Sequence, residues 1–302
     1  MNGILPLWKE KGMTSHDCVF KVRKILRMKK VGHTGTLDPD VEGVLPICLG
    51  RATKIAEYIT DAGKEYIGEV TLGTSTTTED ASGEVIESVD SVEGVNVPKV
   101  LKVLKSLEGD IEQTPPMYSA VKVNGKKLYE YARAGIEVER PTRRVKIYSI
   151  ELQEDSIVDK TNVTSFKFKV KCSKGTYIRT LAVQIGERLG FPAHMSHLVR
   201  TQSATFTKDN CVTLNELQEK VELGLLEDCL YPLEHGISYL PHFQLNDTLA
   251  EKVKNGGVFL SPKGFPMNEK VVMVYQGQML AIYQPHPSKE GMIKPVKVIM
   301  NE

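Results

Sequence analysis

His33 and Asp38 set one imidazole and one carboxylate in the run VGHTGTLDP (residues 31–39), on backbone that glycine lets approach a ligand closely. An acid and an imidazole so near in sequence suit nucleophilic or acid–base chemistry. Pro39 fixes its own φ and biases Asp38 away from helical geometry, so the carboxylate is expected from a turn or extended segment. Asp before Pro is also ordinary turn chemistry, and the local residues leave both readings open, a catalytic acid and a structural turn.

Other chemistries find less support. There is no GxxxxGK[ST], and GHTG lacks the strand-to-helix context and later acidic residue of a dinucleotide site. His194 and His197 are the closest metal pattern, but their spacing brings no companion Cys or carboxylate set, and histidines at a helix end or on the surface explain them better. A metal-dependent hydrolase built on His33, Asp38, His194 and His197 therefore has poor ligand spacing. The expected chemistry needs no cofactor and no metal.

The elements that must position these residues can be read from periodicity. Residues 14–28 open with Thr14 and Ser15 and carry Val19, Val22, Ile25 and Leu26 at helical spacing, which predicts a capped amphipathic helix just before the Asp38 segment. Residues 65–72, EYIGEVTL, alternate as a strand with Tyr66, Gly68, Val70 and Leu72 on one face. Tyr66 is then either a site residue or a core aromatic whose hydroxyl finds a partner. FKFKVKC (166–172) alternates again, SKGT turns, and YIRTLAVQIGERLG from Tyr177 reads as a helix ending at Gly190. Arg179 falls in its first turn, where a cation is unfavourable without an anionic partner or a phosphate; the alternative is a surface Arg with a packed stem.

Residues 121–145 mix Lys122, Lys126, Lys127, Arg133, Arg140, Arg143 and Arg144 with Tyr129 and Tyr131, as nucleic-acid contact surfaces do, although a polar hairpin with no partner would look similar. After Tyr231 and Pro232 the texture changes to short apolar runs broken by turns, NGGVFLSPKG and VVMVYQGQMLAIYQP, which suggests a small β-domain.

Bulk properties set the frame. The 302 residues suffice for a catalytic domain plus a small module, and 41% hydrophobic with 25% charged residues is ordinary for a soluble protein. No apolar run is long enough to span a bilayer and no secretory leader is visible, which makes the cytoplasm the expected location. The five scattered cysteines form no CxxC pair and are expected to be buried or idle thiols. A net charge of +1 speaks mildly against nucleic acid, but Lys21, Arg23, Lys24, Arg27, Lys29 and Lys30 bunch immediately before Asp38 while Glu84, Glu87, Asp90 and Glu93 gather elsewhere. A neutral sum can hide a basic face, or the run can be a solvated helix face.

The continuation GVLPICLGRATK (43–54), with LGTSTTTEDASG from Leu72, PPMYSAVKVNGKKLYEYARAGIEVERP from Pro115 and CSKGTYIRTLA from Cys172, resembles the TruB family of tRNA pseudouridine synthases in order and separation. The resemblance implies an α+β pseudouridine-synthase fold: a mixed, mainly antiparallel sheet flanked by helices, with a catalytic domain at 1–235, a thumb-like insertion at about 121–145, and a PUA-like RNA-binding β-barrel at 236–302. It implies isomerisation of the T-loop uridine, uridine-55, of tRNA, with Asp38 as the nucleophile. By the same resemblance Tyr66 stacks on the base and helps remove the C5 proton, and Arg179 orients the carboxylate. Tyr177 and Leu198 line the pocket, and His33 enters the RNA loop as the base is extruded. Lys9 and Gly12 match the family's KPxG element, although Glu10 stands where proline is usual. The implied partner is the tRNA T-arm, with the acceptor stem on the C-terminal module. The long form at 121–145 implies a protein-only enzyme without guide RNA, acting as a monomer and free of membranes. A non-catalytic RNA-binding protein or RNA-folding chaperone is the alternative.

Overall fold

A computed structural model describes residues 1–160 and 162–299. Its internal contacts group the chain into two compact units, one of Met1–Pro39, Val44–Ala62 and Ser203–Glu302, the other of Asp40–Gly43 and Gly63–Gln202. The architecture is the expected mixed α+β arrangement. No helix among the described residues is long and apolar enough to cross a membrane.

The second unit is organised by strand Lys64–Leu72, which pairs antiparallel with Val163–Cys172 from Leu72 opposite Thr164 to Lys64 opposite Cys172. Both segments alternate in sequence, and the alternation reaches the core as expected. Tyr66, Gly68, Val70 and Leu72 are buried on one strand, and Phe166, Phe168, Val170 and Cys172 on the other. Arg143–Leu152 continues the sheet antiparallel, followed by Gly109–Gln113. Helices Val97–Ser106 and Ile178–Leu189 pack on each other and on these strands. The second helix buries Ile178, Leu181, Ala182, Ile185 and Leu189 and stops at the expected Gly190, whose left-handed φ of 91° closes the last turn. Residues 122–127 form a hairpin whose Asn124 and Gly125 both take positive φ, the dipeptide such a tight turn favours. The short helix Leu128–Arg133 follows it.

In the first unit, strand Gly3–Lys9 is almost wholly buried, and Val31–His33 pairs antiparallel with Ile47–Leu49 of the strand Glu42–Leu49. The first helix runs Ser15–Ile25, shorter than the expected 14–28. Arg27 turns left-handed (φ 50°) after Leu26, so Lys29 and Lys30 lie beyond the helix and the basic run is not one helix face. Its start is as expected: Thr14 Oγ1 accepts from the Asp17 N–H at 3.0 Å while the Asp17 carboxylate accepts from the Thr14 N–H at 2.9 Å.

The C-terminal segment forms the expected separate sheet, in the order His242–Gln244, Val271–Tyr275, Gln278–Pro285, Met292–Val298 and Phe259–Leu260. It is covered on both faces. Val271, Met273, Leu280 and Tyr283 pack with Ala250, Val253 and Phe265, whereas Val272, Val274, Met279 and Ile282 share a core with Ile4, Val44, Ile55 and Ile59. The N-terminal residues of this unit, from Ile4 to Ile59, and the late sheet therefore stabilise one another. None of the five cysteines is joined in a disulfide, and burial pushes the Cys48 thiol up to about 12 and that of Cys172 to about 11, which leaves both inert at neutral pH.

One glycine governs how the strand after Pro39 begins. Glu42 and Gly43 pair in parallel with Val199 and Arg200, and Gly43 has φ +136°. A Cβ there would lie 2.3 Å from the Arg200 carbonyl oxygen, which is backbone and cannot swing away. Gly43→Ala should lower the unfolding free energy by about 3 kcal/mol, read as a lower urea midpoint at unchanged slope.

Candidate active site

Asp38 lies half-buried in the irregular segment between Val31–His33 and Glu42–Leu49, as its proline neighbour requires. The loop is held by polar contacts from the chain between the first strand and the first helix. Lys9 is 0% exposed, and its ammonium donates to the Pro39 carbonyl at 3.1 Å and to the Glu10 carbonyl at 3.0 Å. The Gly12 N–H donates to the same Pro39 oxygen at 3.0 Å. The structure thus gives Lys9 and Gly12 a positioning task, because both hold the residue that follows Asp38. Gly12 has φ +87°, which glycine adopts without strain. Upstream, the Thr34 N–H and hydroxyl both donate to the Pro46 carbonyl at 3.1 Å, and the His33 Nδ1 accepts from the Gly35 N–H at 3.3 Å.

Tyr66, Tyr177, Arg179 and Leu198 belong to the second unit. Tyr66 faces inward from its strand, opposite Val170, and is 8% exposed. Tyr177 precedes the helix Ile178–Leu189, and one side chain brackets its backbone: Gln113 Oε1 accepts from the Tyr177 N–H at 2.9 Å, and Gln113 Nε2 donates to the Tyr177 carbonyl at 3.2 Å. Leu198 is buried on strand Ala193–Ser203.

Arg179 is buried, at 6% exposed, and is not a surface Arg with a packed stem. Its Nη1 donates to the Thr78 carbonyl at 3.2 Å, its Nη2 to the Tyr118 carbonyl at 2.9 Å, and Asp80 Oδ2 lies 3.5 Å from Nη1. The anionic partner anticipated for a cation in the first helical turn is present. Asp80 is itself oriented: its Oδ1 accepts from the Thr78 hydroxyl at 2.7 Å and from the Ser82 N–H at 3.0 Å. Sequence reading did not single out Asp80. The signal was available in TSTTTEDAS, where Thr, Asp and Ser crowd together as they do when side chains bond local backbone.

Glu79 adds a strained feature. It takes a left-handed φ of 64°, its carbonyl accepts from the Met195 N–H at 3.0 Å while the Ala81 N–H donates to the Met195 carbonyl at 3.1 Å, and its carboxylate accepts from the Thr180 hydroxyl at 2.7 Å. This turn carries Thr78 and Asp80 to Arg179. His194 and His197 lie on strand Ala193–Ser203 and not at a helix end, so three-residue spacing sends them to opposite faces. His194 Nδ1 is 2.9 Å from the Thr74 carbonyl. Among the described residues no cluster of three His, Cys, Asp or Glu side chains could hold a metal.

On the basic segment, the ammonium of Lys127 and the guanidinium of Arg133 each lie 5.3 Å from the Tyr129 ring centre, and the Tyr131 hydroxyl donates to the Val123 carbonyl at 3.1 Å. Cations and aromatics are thus presented together on a small hairpin-plus-helix unit.

Burial pushes the Glu79 carboxyl above its ordinary 4.5, opposed by the Thr180 hydroxyl and the Arg179 charge. A carboxyl raised on folding contributes most below its unfolded value and loses that contribution as pH rises through the folded one. Glu79→Gln should accordingly gain stability relative to wild type as pH rises from 4 towards 7, measured by urea midpoints across that range.

Residues 23–178 match the TruB family pseudouridylate synthase (N terminal domain), and residues 179–238 the tRNA pseudouridylate synthase B C-terminal domain. The chain is 55% identical over 306 residues to the tRNA pseudouridine synthase B of Bacillus subtilis (strain 168), covering 100% of this chain and 99% of that protein. It is 57% identical over 303 residues to that of Listeria innocua, covering 99% and 98%. Among solved structures, a chain of a Cbf5-Nop10-Gar1 complex superposes with a TM-score of 0.76 at 30% identity, covering 99% of this chain and 85% of that one. A second, from an H/ACA RNP bound to a substrate RNA containing 2′-deoxyuridine, gives 0.73 at 27% identity, covering 99% and 85%. Full-length identity at this level, joined to the fold itself, makes the chain a member of the TruB family of pseudouridine synthases, an isomerase of that class.

Proposed function

We propose that this protein converts the T-loop uridine of tRNA, uridine-55, to pseudouridine, with Asp38 as the reacting carboxylate. The observation that carries this reading is the fully buried ammonium of Lys9 on the carbonyl of Pro39. An ordinary Asp-Pro surface turn has no use for a buried charge, whose removal from water costs several kcal/mol before its hydrogen bonds offset it. Expense of that kind is met where a side chain must be held in one place.

In the reaction the N1 to C1′ bond breaks, the base turns, and C5 bonds to C1′, with nothing oxidised and no co-reactant consumed. Asp38 acts on the uridine as nucleophile or base. In this reading a guanidinium, that of Arg179, favours the anionic form of the reacting carboxylate and orients it by charge-assisted hydrogen bonding. Tyr66 stacks on the base and takes part in removal of the C5 proton. Tyr177 and Leu198 line the pocket, and His33 fills the space left by the extruded base, whose flipping costs a few kcal/mol.

In this reading residues 1–235 form the catalytic domain, residues 121–145 close on the T-arm as a thumb, and residues 236–302 act as a PUA-like module towards the acceptor stem. The enzyme works as a monomer in the cytoplasm and needs no guide RNA. Folded shape and extruded bases dominate recognition, since the A-form major groove is too narrow to read.

Asp38→Asn should abolish product in a purified T-arm hairpin while the hairpin still binds; product formation by that variant removes the assignment. Tyr66→Phe should slow turnover by roughly 10²-fold, the scale of one positioned proton-transfer group, with base cleavage preceding the affected step. A 5-deuterated uridine substrate checks this, since the variant should show an isotope effect that the wild type does not.

A further inference from the structure

The backbone on the other side of Asp38 is held too, by a side chain with no role so far. Ser15 is the first residue of the helix Ser15–Ile25 and is buried. Its hydroxyl accepts from the Leu37 N–H at 2.8 Å and donates to the Leu37 carbonyl at 3.2 Å. One oxygen therefore satisfies both polar groups of the residue preceding Asp38, much as a strand neighbour exchanges two bonds with its opposite residue. Leu37 is itself buried, where an unpaired backbone group is costly.

The hydroxyl is in turn placed by the helix start. Thr14 and Asp17 close a capping box around it, with the Thr14 hydroxyl also donating to the Asp17 carboxylate at 2.7 Å. A serine in the first turn has no intrahelical duty for its side chain, so the oxygen is free to bond outward.

We infer that Ser15 is a positioning residue for the isomerisation, fixing the Asp38 carboxylate from its N-terminal side. The inference rests on the assignment of Asp38 as the reacting group. Ser15 acts through the Leu37 backbone, and because it is buried its loss should alter the rate of the chemical step and leave RNA affinity in place. Displacing a reacting group by as little as about 1 Å can cost roughly 10²-fold in rate.

The test compares wild type, Ser15→Ala and Ser15→Cys in single-turnover pseudouridine formation on a T-arm hairpin, with dissociation constants for the same hairpin and deuterium exchange over residues 35–40. Ser15→Ala should react about 10- to 100-fold more slowly, bind the hairpin as tightly as wild type, and exchange faster at the Leu37 amide. Ser15→Cys bonds weakly through sulfur, should fall between the two, and carries the comparison if the alanine variant does not fold. A folded variant with the wild-type rate, or one whose rate loss is matched by an equal loss of affinity, overturns the inference. Absence of product from the wild type itself overturns the Asp38 assignment instead.

Discussion

Lys9 puts a positive charge where its residue has no solvent-exposed surface, and the loop that carries Asp38 is arranged around that charge. An isolated ammonium in the interior would lose its proton or unfold its surroundings, and the carbonyls of Pro39 and Glu10 help sustain the burial. With the Gly12 amide on the same Pro39 oxygen and the Ser15 hydroxyl on both polar groups of Leu37, Asp38 is bracketed by two backbone anchors. The carboxylate is presented from irregular structure with the definition usually reserved for a strand.

Arg179 repeats this logic in the second unit. Its guanidinium is buried against two backbone carbonyls and the carboxylate of Asp80, and those carbonyls come from segments far away in sequence. The turn that brings Thr78 and Asp80 there is secured by a left-handed Glu79 tied to the strand at Met195. Strain at Glu79 and a buried cation at Arg179 are local costs borne by the paired strands around them. Backbone carbonyls suit this task because each neutralises part of a cation's field through its dipole without itself adding a full opposing charge.

The late five-stranded sheet illustrates a different constraint. Strands Val271–Tyr275 and Gln278–Pro285 are apolar at consecutive positions and not only at alternate ones, which requires cover on both faces. One cover is the sheet's own helix Asp247–Lys254 and the other is a core shared with residues from the N-terminal part of the chain. The run VVMVY already implied this in sequence, since a module with one solvated face would alternate.

Much of the fold was legible in the sequence because it rests on periodicity, which neighbouring residues specify locally. The strand at Tyr66, the paired FKFKVKC strand, the helix ending at Gly190 and the box at Thr14 are cases where local preference and final structure agree. Motif order likewise identified the family and the candidate residues His33, Asp38, Tyr66, Tyr177, Arg179 and Leu198. What the chain alone left open were the partners of buried charges. The burial of Lys9 on Pro39, of Arg179 on Thr78, Tyr118 and Asp80, and the hold of Ser15 on Leu37 join residues 22 to 101 positions apart. Such bonds are decided by which backbone groups the packed strands bring within 3 Å or so of a side chain, a distance condition that no spacing along the chain encodes.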